Sequence, residues 1–551
     1  MSENANIAVH LPAIAQTNPD MLAVAVQRHQ GGNTIYQSYS FAELNLQSDR
    51  IARGLDRYGI KPGMRMVLMV KPSLEFFALT FALFKVGAVL VLVDPGIGLK
   101  NLKQCLAEAE PEAFVGISKA HVARLLFGWA QNTLHKWVTV GWKLGWGGKR
   151  LDELIDSSDS SSWPTAKMTS DSTAAILFTS GSTGVPKGAV YTHGIFNAQV
   201  EMMKTEYGIE PGERDLATFP PFALFGPALG MAAIVPDMDA SKPAKANPAY
   251  LLEAIDTYKT TNMFASPAVI EVIGKHAAPK QCKLNSFKRI ISAGAPANLP
   301  SIKRFTSLLS EDAQVFPSYG ATEALPVATI GSNELLNTED ATNTGAGVCV
   351  GRIMSGLEAK IITVTDDAVP VWYPELEQPE GTLGEIAVKG PVVTREYYKN
   401  DHGTALAKIY LDKNNKEGAF YHRMGDIGYF DAQGRLWMCG RKSHRVVLED
   451  QTLYTIPCER IFNTHPAVYR TALVGVKKNN TTLPVLCVEL NDSGKKIPAN
   501  QLMNALAEIA QSNDITRAIT TFLIHPDFPT DIRHNAKIFR EQLAQWAERK
   551  V

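Results

Sequence analysis

Residues Ala174 to Gly188 read A-A-I-L-F-T-S-G-S-T-G-V-P-K-G, an apolar run that leads directly into a loop rich in glycine and hydroxyl groups. Glycines allow backbone N–H groups to converge on an anion, and hydroxyl groups and Lys187 add donors and positive charge. We therefore predict a strand followed by a polyphosphate-binding loop. The residues predicted to bind the phosphates are Thr179, Ser180, Gly181, Ser182, Thr183, Gly184 and Lys187.

The spacing of the residues in this loop excludes two well-known loop types. The loop lacks the G-K-[ST] ending of the Walker pattern, and Ser182 lacks the G-x-S-x-G frame of a serine hydrolase. A second glycine-rich stretch, G-A-G-V-C-V-G from Gly345, has one residue too many for a dinucleotide-binding G-x-G-x-x-G motif. Walker, serine-hydrolase and dinucleotide-binding chemistry are therefore not supported.

Short apolar strand patterns alternate with helical patterns on both sides of the loop. The strand patterns lie at 66–70, 114–115, 174–178, 263–264 and 289–292. This alternation predicts an α/β fold of layered, largely parallel sheets. After Gly345 short strands separated by turns predict a more antiparallel β section, and from Arg441 strands and helices alternate again. We predict a large N-terminal domain at 1–441 and a small α+β C-terminal domain at 442–551.

The overall composition is typical of a globular protein. The chain has 551 residues, of which 45% are apolar and 20% charged, and its 55 basic residues balance 55 acidic ones. Because the charges balance, no overall basic field is available to bind nucleic acid. The six cysteines form no C-x-x-C pair, and the N-terminus lacks a signal-peptide pattern, so we expect a cytoplasmic protein without disulfides or a cysteine zinc site.

Two apolar stretches resemble membrane spans but contain features that disfavour them. The stretch 76–93 contains Lys85 and Gly87, which favours a helix followed by a buried strand, and the stretch 216–236 contains four prolines, which favours loop and short helix. We therefore predict no transmembrane segment. The segment 115–150 holds four of the eight tryptophans, and its Gly-Trp-Lys tail suits either a membrane surface or partner, or a packed insertion.

Further motifs occur in a fixed order along the chain. They are S-A-G-A-P at 292–296, Y-G-A-T-E at 319–323, M-G-D at 424–426, G-R at 440–441 and N-A-K-I-F-R at 535–540. Together with the phosphate loop, they make the whole chain resemble the adenylate-forming superfamily of acyl-CoA synthetases, luciferases and peptide-synthetase adenylation domains.

This resemblance implies nucleotide-binding roles for the residues of the matching motifs, with ATP and Mg²⁺ as cofactors. Tyr319 would stack on adenine, Thr322 would contact the α-phosphate, and Glu323 would help to hold the metal. The resemblance also assigns nucleotide binding to Gly294, Ala295, Pro296, Ser318 and Gly320.

The remaining motifs imply a ribose site and a mobile lid. The Asp426 carboxylate and Arg441 would bind the ribose hydroxyls. Lys537 would be the catalytic lysine, carried by the C-terminal domain, which would move as a lid between two half-reactions.

The apolar segment near 219 corresponds to the acyl-binding region of the family. Ala223 stands where a histidine is common, so the pocket would lack a polar gate. The residues predicted to line the pocket are Phe219, Phe222, Ala223, Leu224, Phe225, Met231 and Met263.

Three further positions depart from the family, two of them in the region that serves the second half-reaction and the third a smaller change. Ser443 stands where Asp or Lys is usual, Asp450 lies near an expected glycine, and Ala536 replaces the glycine that precedes the catalytic lysine. Relatives that use CoA need the loop around residue 450 to approach the pantetheine tunnel. A thioester-forming step is therefore in doubt, and water, an amine, a carrier protein or a hydroxyl on the acyl chain itself are the alternatives.

The chain is also similar to one subgroup, the β-lactone synthetases of bacterial long-chain olefin biosynthesis. The segments D-P-G-I-G-L-K-N-L at 94–102 and D-I-R-H-N-A-K-I-F-R at 531–540 carry this similarity. It implies activation of a long-chain 2-alkyl-3-hydroxy acid as acyl-AMP, closure to a β-lactone, and other enzymes of the olefin pathway as partners. The alternatives are a fatty acyl-CoA or acyl-AMP ligase and a catalytically silent relative. His193 is a candidate base for ring closure, with a structural role or an adenylate-supporting role as the alternatives.

Overall fold

The computed structural model describes residues 4–93, 97–179, 186–219, 222–295, 298–479, 481–530 and 538–551. Within these ranges the chain forms two large sheets with helices packed on them, followed by smaller sheets after residue 445. The predicted α/β class is confirmed.

The first large sheet contains the strand that precedes the phosphate loop. Its strand order is β7-β6-β5-β3-β4-β8-β9, and neighbouring strands are parallel except for the β8–β9 hairpin. Its strands are β3 (Arg65–Met69), β4 (Val89–Val93), β5 (Ala113–Ile117), β6 (Lys136–Val140), β7 (Lys149–Arg150), β8 (Thr173–Thr179) and β9 (Lys187–Thr192). The helices along this part of the chain are α1 (His10–Thr17), α2 (Phe41–Arg57), α3 (Leu74–Lys85), α4 (Leu99–Ala109), α5 (Ser118–Phe127), α6 (Leu151–Leu154) and α7 (His193–Tyr207).

The helix α3 and strand β4 confirm the interpretation of the apolar stretch 76–93 as a buried helix–strand pair. Ser73 caps α3 by accepting a hydrogen bond from the Phe76 N–H. Lys85 is 1% exposed, and its charge is met by Asp49 of α2 at 2.5 Å. A buried lysine is tolerated here because its charge is paired and hydrogen-bonded. Among the described residues, the structure contains no helix of sufficient length and apolarity to cross a bilayer.

The second large sheet continues from parallel strands into the antiparallel β section. Its parallel strands and the edge hairpin are β1 (Leu22–Gln30), β2 (Asn33–Ser40), β10 (Arg214–Ala217), β11 (Ala232–Val235), β12 (Asn262–Ala265), β13 (Arg289–Ser292) and β14 (Gln314–Ala321). The intervening helices are α8 (Phe222–Ala228), α9 (Pro248–Tyr258), α10 (Pro267–Ala277) and α11 (Leu299–Thr306). The stretch 216–236 was predicted as loop and short helix. The structure adds β10 and β11 on either side of that helix.

The predicted antiparallel section after Gly345 is confirmed. Its strands, with the hairpin strand that leads into it, are β15 (Ala324–Thr329), β16 (Val348–Ile353), β17 (Glu358–Ile362), β18 (Gly384–Lys389), β19 (Lys408–Tyr410), β20 (Phe420–Phe430) and β21 (Leu436–Arg441). The short helices here are α12 (Ser332–Leu336), α13 (Glu339–Asn343) and α14 (Asp401–Ala407).

Residues after Arg441 form their own sheets and core. Their strands are β22 (Val446–Val447), β23 (Thr452–Leu453), β24 (Val468–Lys478), β25 (Thr481–Leu490) and β26 (Thr521–Ile524), and their helices are α15 (Thr455–Phe462), α16 (Ala499–Gln511) and α17 (Arg540–Glu548). The apolar side chains of these elements pack into separate clusters. The exact boundary between 441 and 442 stays a prediction.

Candidate active site

Two predicted nucleotide-binding segments lie at the same edge of the large sheet. The parallel strands β13 and β14 are neighbours, and Ser292 is paired with Pro317 where the two strands approach their carboxyl ends. Gly294 and Ala295 follow the first strand, and Ser318 lies just beyond Pro317 on the second. The carboxyl ends of parallel strands are the usual place for ligands in such sheets.

A three-residue cluster joins the Tyr319 motif to the Asp426 and Arg441 motifs. Tyr319 Oη donates a hydrogen bond of 2.8 Å to Asp426 Oδ2. Arg441 Nη1 lies 3.0 Å from Asp426 Oδ1, because Asp426 of β20 and Arg441 of β21 are paired directly in the antiparallel ladder. The structure thus brings together three residues that the sequence assigned to the adenosine end of the nucleotide.

Burial and charge act in opposite directions on this cluster. Asp426 is 1% exposed, and burial raises the pKa of its carboxyl group while the Arg441 guanidinium opposes that shift. The Asp426 carboxylate in turn raises the pKa of Arg441, and Glu323 and Tyr397 also contribute to this shift. The Arg441 guanidinium therefore interacts electrostatically with Asp426, assigned to the ribose, and with Glu323, assigned to the metal.

The residues Thr322 and Glu323 form the turn between β14 and β15. Tyr191 Oη donates to the Thr322 carbonyl at 2.6 Å, and Tyr397 Oη donates to Glu323 Oε1 at 2.7 Å. The turn is tight, because Ala321 of β14 is paired with Ala324 of β15. Both residues assigned to the phosphate end are thus held by buried tyrosines.

A short segment at 394–398, which we call the strap, connects Glu323 with the strand that follows the phosphate loop. The Thr394 N–H donates to the Glu323 carbonyl at 2.8 Å, and the Tyr398 N–H donates to the Gly188 carbonyl at 2.7 Å. Lys187 Nζ lies 5.1 Å from the centre of the Tyr397 ring. The strap therefore links Glu323 to Lys187 and Gly188, which follow the predicted phosphate loop.

A buried lysine forms a hydrogen bond to the backbone of the strap. Lys408 Nζ donates to the Thr394 carbonyl and lies 3.0 Å from Nδ1 of His422. Burial lowers the pKa of Lys408 to about 7, against the opposing charge of Glu323. Burial also lowers the pKa of His422 well below its usual value, so the neutral imidazole can accept the Lys408 proton in a hydrogen bond.

Several predicted site residues lie outside what the structure describes. Lys187 starts β9 directly opposite Thr179, the last residue of β8. The backbone of Thr179 is described but its side chain is not, and the same holds for Phe222 and Ala223. The residues outside the described ranges are Ser180, Gly181, Ser182, Thr183, Gly184, Pro296 and Lys537.

The described acyl-pocket residues divide between two core clusters. Leu224, Phe225 and Met231 are buried in one cluster, and Phe219 packs against it. Met263 belongs to the cluster on the other side of its strand. The structure does not bring Met263 together with the other predicted residues. Its neighbour Phe264 faces Phe219 instead, with ring centres 6.1 Å apart, because side chains alternate across a strand.

His193 has a structural environment. Its Nδ1 accepts a hydrogen bond of 3.1 Å from the Ile7 N–H, and its ring lies edge-on to Phe84 at 6.0 Å. Burial lowers the pKa of His193 to about 4. Of the three roles considered for this residue, these contacts support the structural one.

The sequence analysis missed Tyr397, Thr394, Lys408 and His422. They lie in short irregular segments and strand ends without a motif, and Lys408 and His422 look like ordinary surface residues in the sequence. The tyrosine pair Tyr397-Tyr398, which follows the strand pattern G-E-I-A-V-K-G, was the available signal. Its partner Glu323 lies 74 residues earlier, a contact that no local pattern reveals.

The donor set at Glu323 fits a hard divalent cation. One carboxylate oxygen accepts from Tyr397, and the other accepts no hydrogen bond from the part of the chain that the structure describes. Magnesium prefers oxygen ligands and is usually held by one or two carboxylates together with substrate phosphates. Glu323 can therefore supply a metal ligand next to the strap without losing its orientation.

These features define an α/β protein in which Tyr319, Asp426 and Arg441 are in contact and Glu323 is linked through the strap to the strand that follows the predicted phosphate loop. Residues 11–398 match the model of a family described as AMP-binding enzyme. The chain belongs to this family of AMP-binding enzymes.

Curated relatives extend the similarity along the whole chain. The chain is 46% identical to an olefin β-lactone synthetase of Stenotrophomonas maltophilia over 100% of this chain and 99% of the relative. It is also 46% identical to an olefin β-lactone synthetase of Xanthomonas campestris over 99% of this chain and 98% of the relative. Among solved structures, the amide bond synthetase McbA of Marinactinospora thermotolerans shares the fold with a TM-score of 0.79 and 19% identity, covering 98% of this chain and 99% of McbA.

Proposed function

We propose that this protein activates a long-chain 2-alkyl-3-hydroxy fatty acid with ATP and closes the resulting acyl-adenylate to a β-lactone, a step of long-chain olefin biosynthesis. The observation that carries the proposal is the 46% identity to olefin β-lactone synthetases over the full length of the chain. The arrangement of the described residues supports it, because Tyr319, Asp426 and Arg441 would bind the adenosine end of ATP and Glu323 and Lys187 would face its phosphate end.

The first half-reaction joins the substrate carboxylate to the nucleotide. A carboxylate oxygen attacks the α-phosphorus of ATP, the bond to the bridging oxygen breaks, and pyrophosphate leaves. In this proposal Asp426 and Arg441 bind the ribose, Thr322 and Lys187 contact phosphate oxygens, and the strap keeps Glu323 in place. Mg²⁺, when bound, neutralises charge on the phosphate oxygens.

The second half-reaction is internal to the substrate. The oxygen of the 3-hydroxyl group attacks the acyl carbon, AMP leaves, and the hydroxyl proton passes to solvent. The sum is acid plus ATP giving β-lactone, AMP and pyrophosphate. Holding the nucleophile on the same molecule raises its effective concentration, which offsets part of the strain of the four-membered ring.

The residues that follow Arg441 support a second step without CoA. Ser443 is exposed in a short helical turn that follows Arg441, and Glu449 and Asp450 are exposed in the next loop. Two carboxylates at this position would repel the phosphates of CoA. The C-terminal domain, 442–551, is proposed to act as the lid that carries Lys537 to the site for adenylation.

We expect a 3-hydroxy acid to give AMP, pyrophosphate and a product lighter than the acid by one water, with no requirement for CoA. The matching acid without the 3-hydroxyl group should stop as bound acyl-adenylate, with pyrophosphate release falling toward one equivalent per enzyme. Product mass and quenched-flow measurement of pyrophosphate distinguish the two substrates. A thioester formed in multiple turnovers after CoA addition would favour the acyl-CoA ligase alternative. The absence of ATP–pyrophosphate exchange would favour a silent relative.

Because the strap holds Glu323, changes at Glu323 or Tyr397 should alter the Mg²⁺ concentration that adenylation requires. Glu323→Gln should raise the Mg²⁺ midpoint of adenylation by about tenfold, equivalent to ~1.4 kcal/mol, because it removes the charge of a metal ligand. Tyr397→Phe should raise the midpoint by about threefold to tenfold, because it removes the hydrogen bond that orients Glu323. A magnesium titration of pyrophosphate exchange measures both changes.

Tyr429→Phe is the matched control for Tyr397→Phe. Tyr429 Oη donates to the Ala346 carbonyl at 3.0 Å, so the control also removes a tyrosine hydroxyl from a hydrogen bond, but away from Glu323. It should leave the midpoint unchanged. If Tyr397→Phe also leaves the midpoint unchanged, Tyr397 has no part in positioning Glu323.

A further inference from the structure

The helix α5 buries polar side chains and exposes its large apolar ones, with only the small residues Ala120 and Ala123 packed against the core. Its buried residues are Ser118, His121 and Arg124. Its outward face carries Val122, Leu125, Leu126 and Phe127, with exposed fractions of 38%, 55%, 75% and 39%. A surface helix normally turns its apolar stripe toward the core. An outward apolar stripe therefore indicates a surface that is covered by something else.

The outward orientation of these large apolar residues has a structural cause, so it is a built feature of α5. The Arg124 guanidinium lies 5.2 Å from the centre of the Trp137 ring of β6. His121 is completely buried, its Nε2 lies 3.0 Å from the Val138 carbonyl, and its ring stacks on Trp146 at 5.4 Å. These contacts fix the polar face inward and leave the leucines outward.

The loop 141–148 extends the same apolar surface. Ser118 Oγ donates to the Trp142 carbonyl, and the rings of Trp142 and Trp146 lie 6.2 Å apart. This holds the loop against the first turn of α5, roughly 12 Å along the helix from Leu126. Trp142 is 60% exposed and Leu144 56%. Among the residues that the structure describes, six of the sixteen exposed large hydrophobic side chains therefore lie between 122 and 144.

The charge of this region complements an anionic surface. Residues 113–151 contain no Asp or Glu but six Lys and Arg residues, in a chain whose total charges balance. Lys119 and Lys149 are exposed at the edge of the apolar surface. The acids that follow, Asp152 and Glu153, are paired with Arg150 and Lys143.

We propose that α5 and the loop 141–148, together called the α5 face, bind to a lipid bilayer that contains anionic phospholipids. Outward leucines insert among acyl chains, tryptophan favours the interface between lipid and water, and flanking lysines attract the negative headgroups. A partner protein would more often present mixed charges, whereas residues 113–151 contain no acidic residue and the adjoining Asp152 and Glu153 are already paired with basic residues, which favours lipid. The proposal does not depend on the reaction that the enzyme catalyses.

Cosedimentation of the full-length protein with vesicles tests this proposal. The protein should bind vesicles of phosphatidylcholine mixed with phosphatidylglycerol, bind vesicles of phosphatidylcholine alone more weakly, and dissociate as salt is raised. Leu126→Glu should lower the partition coefficient by at least about tenfold, because it removes buried apolar surface and adds a negative charge. Lys119→Glu should lower it as well, although the apolar surface is unchanged.

Ile35→Glu is the matched control, because Ile35 is an aliphatic residue of β2 with 47% exposure on a different sheet. It should bind vesicles as the unmodified protein does. A second measurement uses lipids with brominated acyl chains, which should quench tryptophan fluorescence less in Trp142→Phe. Failure of the unmodified protein to bind anionic vesicles, or equal loss in Ile35→Glu and Leu126→Glu, would overturn the proposal and leave the α5 face to a protein partner.

Discussion

Lys537→Ala is expected to lower the kcat of adenylation by at least about a hundredfold, while the affinity for ATP changes little. The reason is that Lys537 would contact the phosphate oxygens only as negative charge develops on them in the transition state. The residues beside this lysine are firmly held. Ile538 pairs with Thr530, and Arg540 forms an ion pair with the buried Glu459. The measurement is ATP–pyrophosphate exchange together with ATP binding by calorimetry.

The same variant separates the two half-reactions. If the lid supplies Lys537 for adenylation alone, Lys537→Ala should still convert a chemically prepared acyl-adenylate to the β-lactone at nearly the normal rate. Lys496→Ala, at an exposed lysine of the same C-terminal domain, is the control and should leave both rates unchanged. Normal pyrophosphate exchange in Lys537→Ala would show that this lysine has no catalytic role.

The elements with strong local patterns were predictable from the sequence. The apolar run 76–93, interrupted by Gly87, is a helix and a buried strand as expected. The charge partner of Lys85 was not predictable, because Asp49 lies 36 residues earlier in another helix. The short strands β10 and β11 were missed because they lie at the ends of the apolar stretch 216–236, whose four prolines favoured loop and short helix.

In the candidate site, too, local motifs were predictable from the sequence, whereas contacts between residues far apart in the chain were not. The motifs around Tyr319 and Asp426 were found as separate stretches, but their hydrogen bond joins residues 107 positions apart. Tyr397 belongs to no recognised motif and is recognisable only through its contact with Glu323. Met263 and Phe264 point to opposite faces of one strand, and the assignment of Met263 to the acyl pocket stays a prediction.

Asp426→Asn is expected to weaken AMP binding by at least about a hundredfold, or ~2.7 kcal/mol, because the ribose hydroxyls lose a charged acceptor. The amide keeps the shape of the side chain and a carbonyl oxygen that can accept from Tyr319, and Arg441, whose side chain is 39% exposed, can be hydrated when it loses its charged partner. The cost of burying the Asp426 charge, which raises its pKa in the folded protein, also disappears. The loss of stability should therefore be small compared with the loss of affinity. Calorimetric titration with AMP and thermal unfolding measure the two effects.

Glu213→Gln is the matched control for Asp426→Asn, because it should lower stability and leave AMP affinity unchanged. Glu213 is 5% exposed and forms ion pairs with Arg289 and Lys288, away from the nucleotide-binding motifs. Removing one charge from this buried pair should lower the free energy of unfolding by about 3–5 kcal/mol, with AMP affinity unchanged. If both variants lose stability and neither loses affinity, Asp426 serves the fold alone. Loss of affinity in Asp426→Asn with stability nearly intact would mean that this buried carboxylate is kept, despite its desolvation cost, because the ribose requires it.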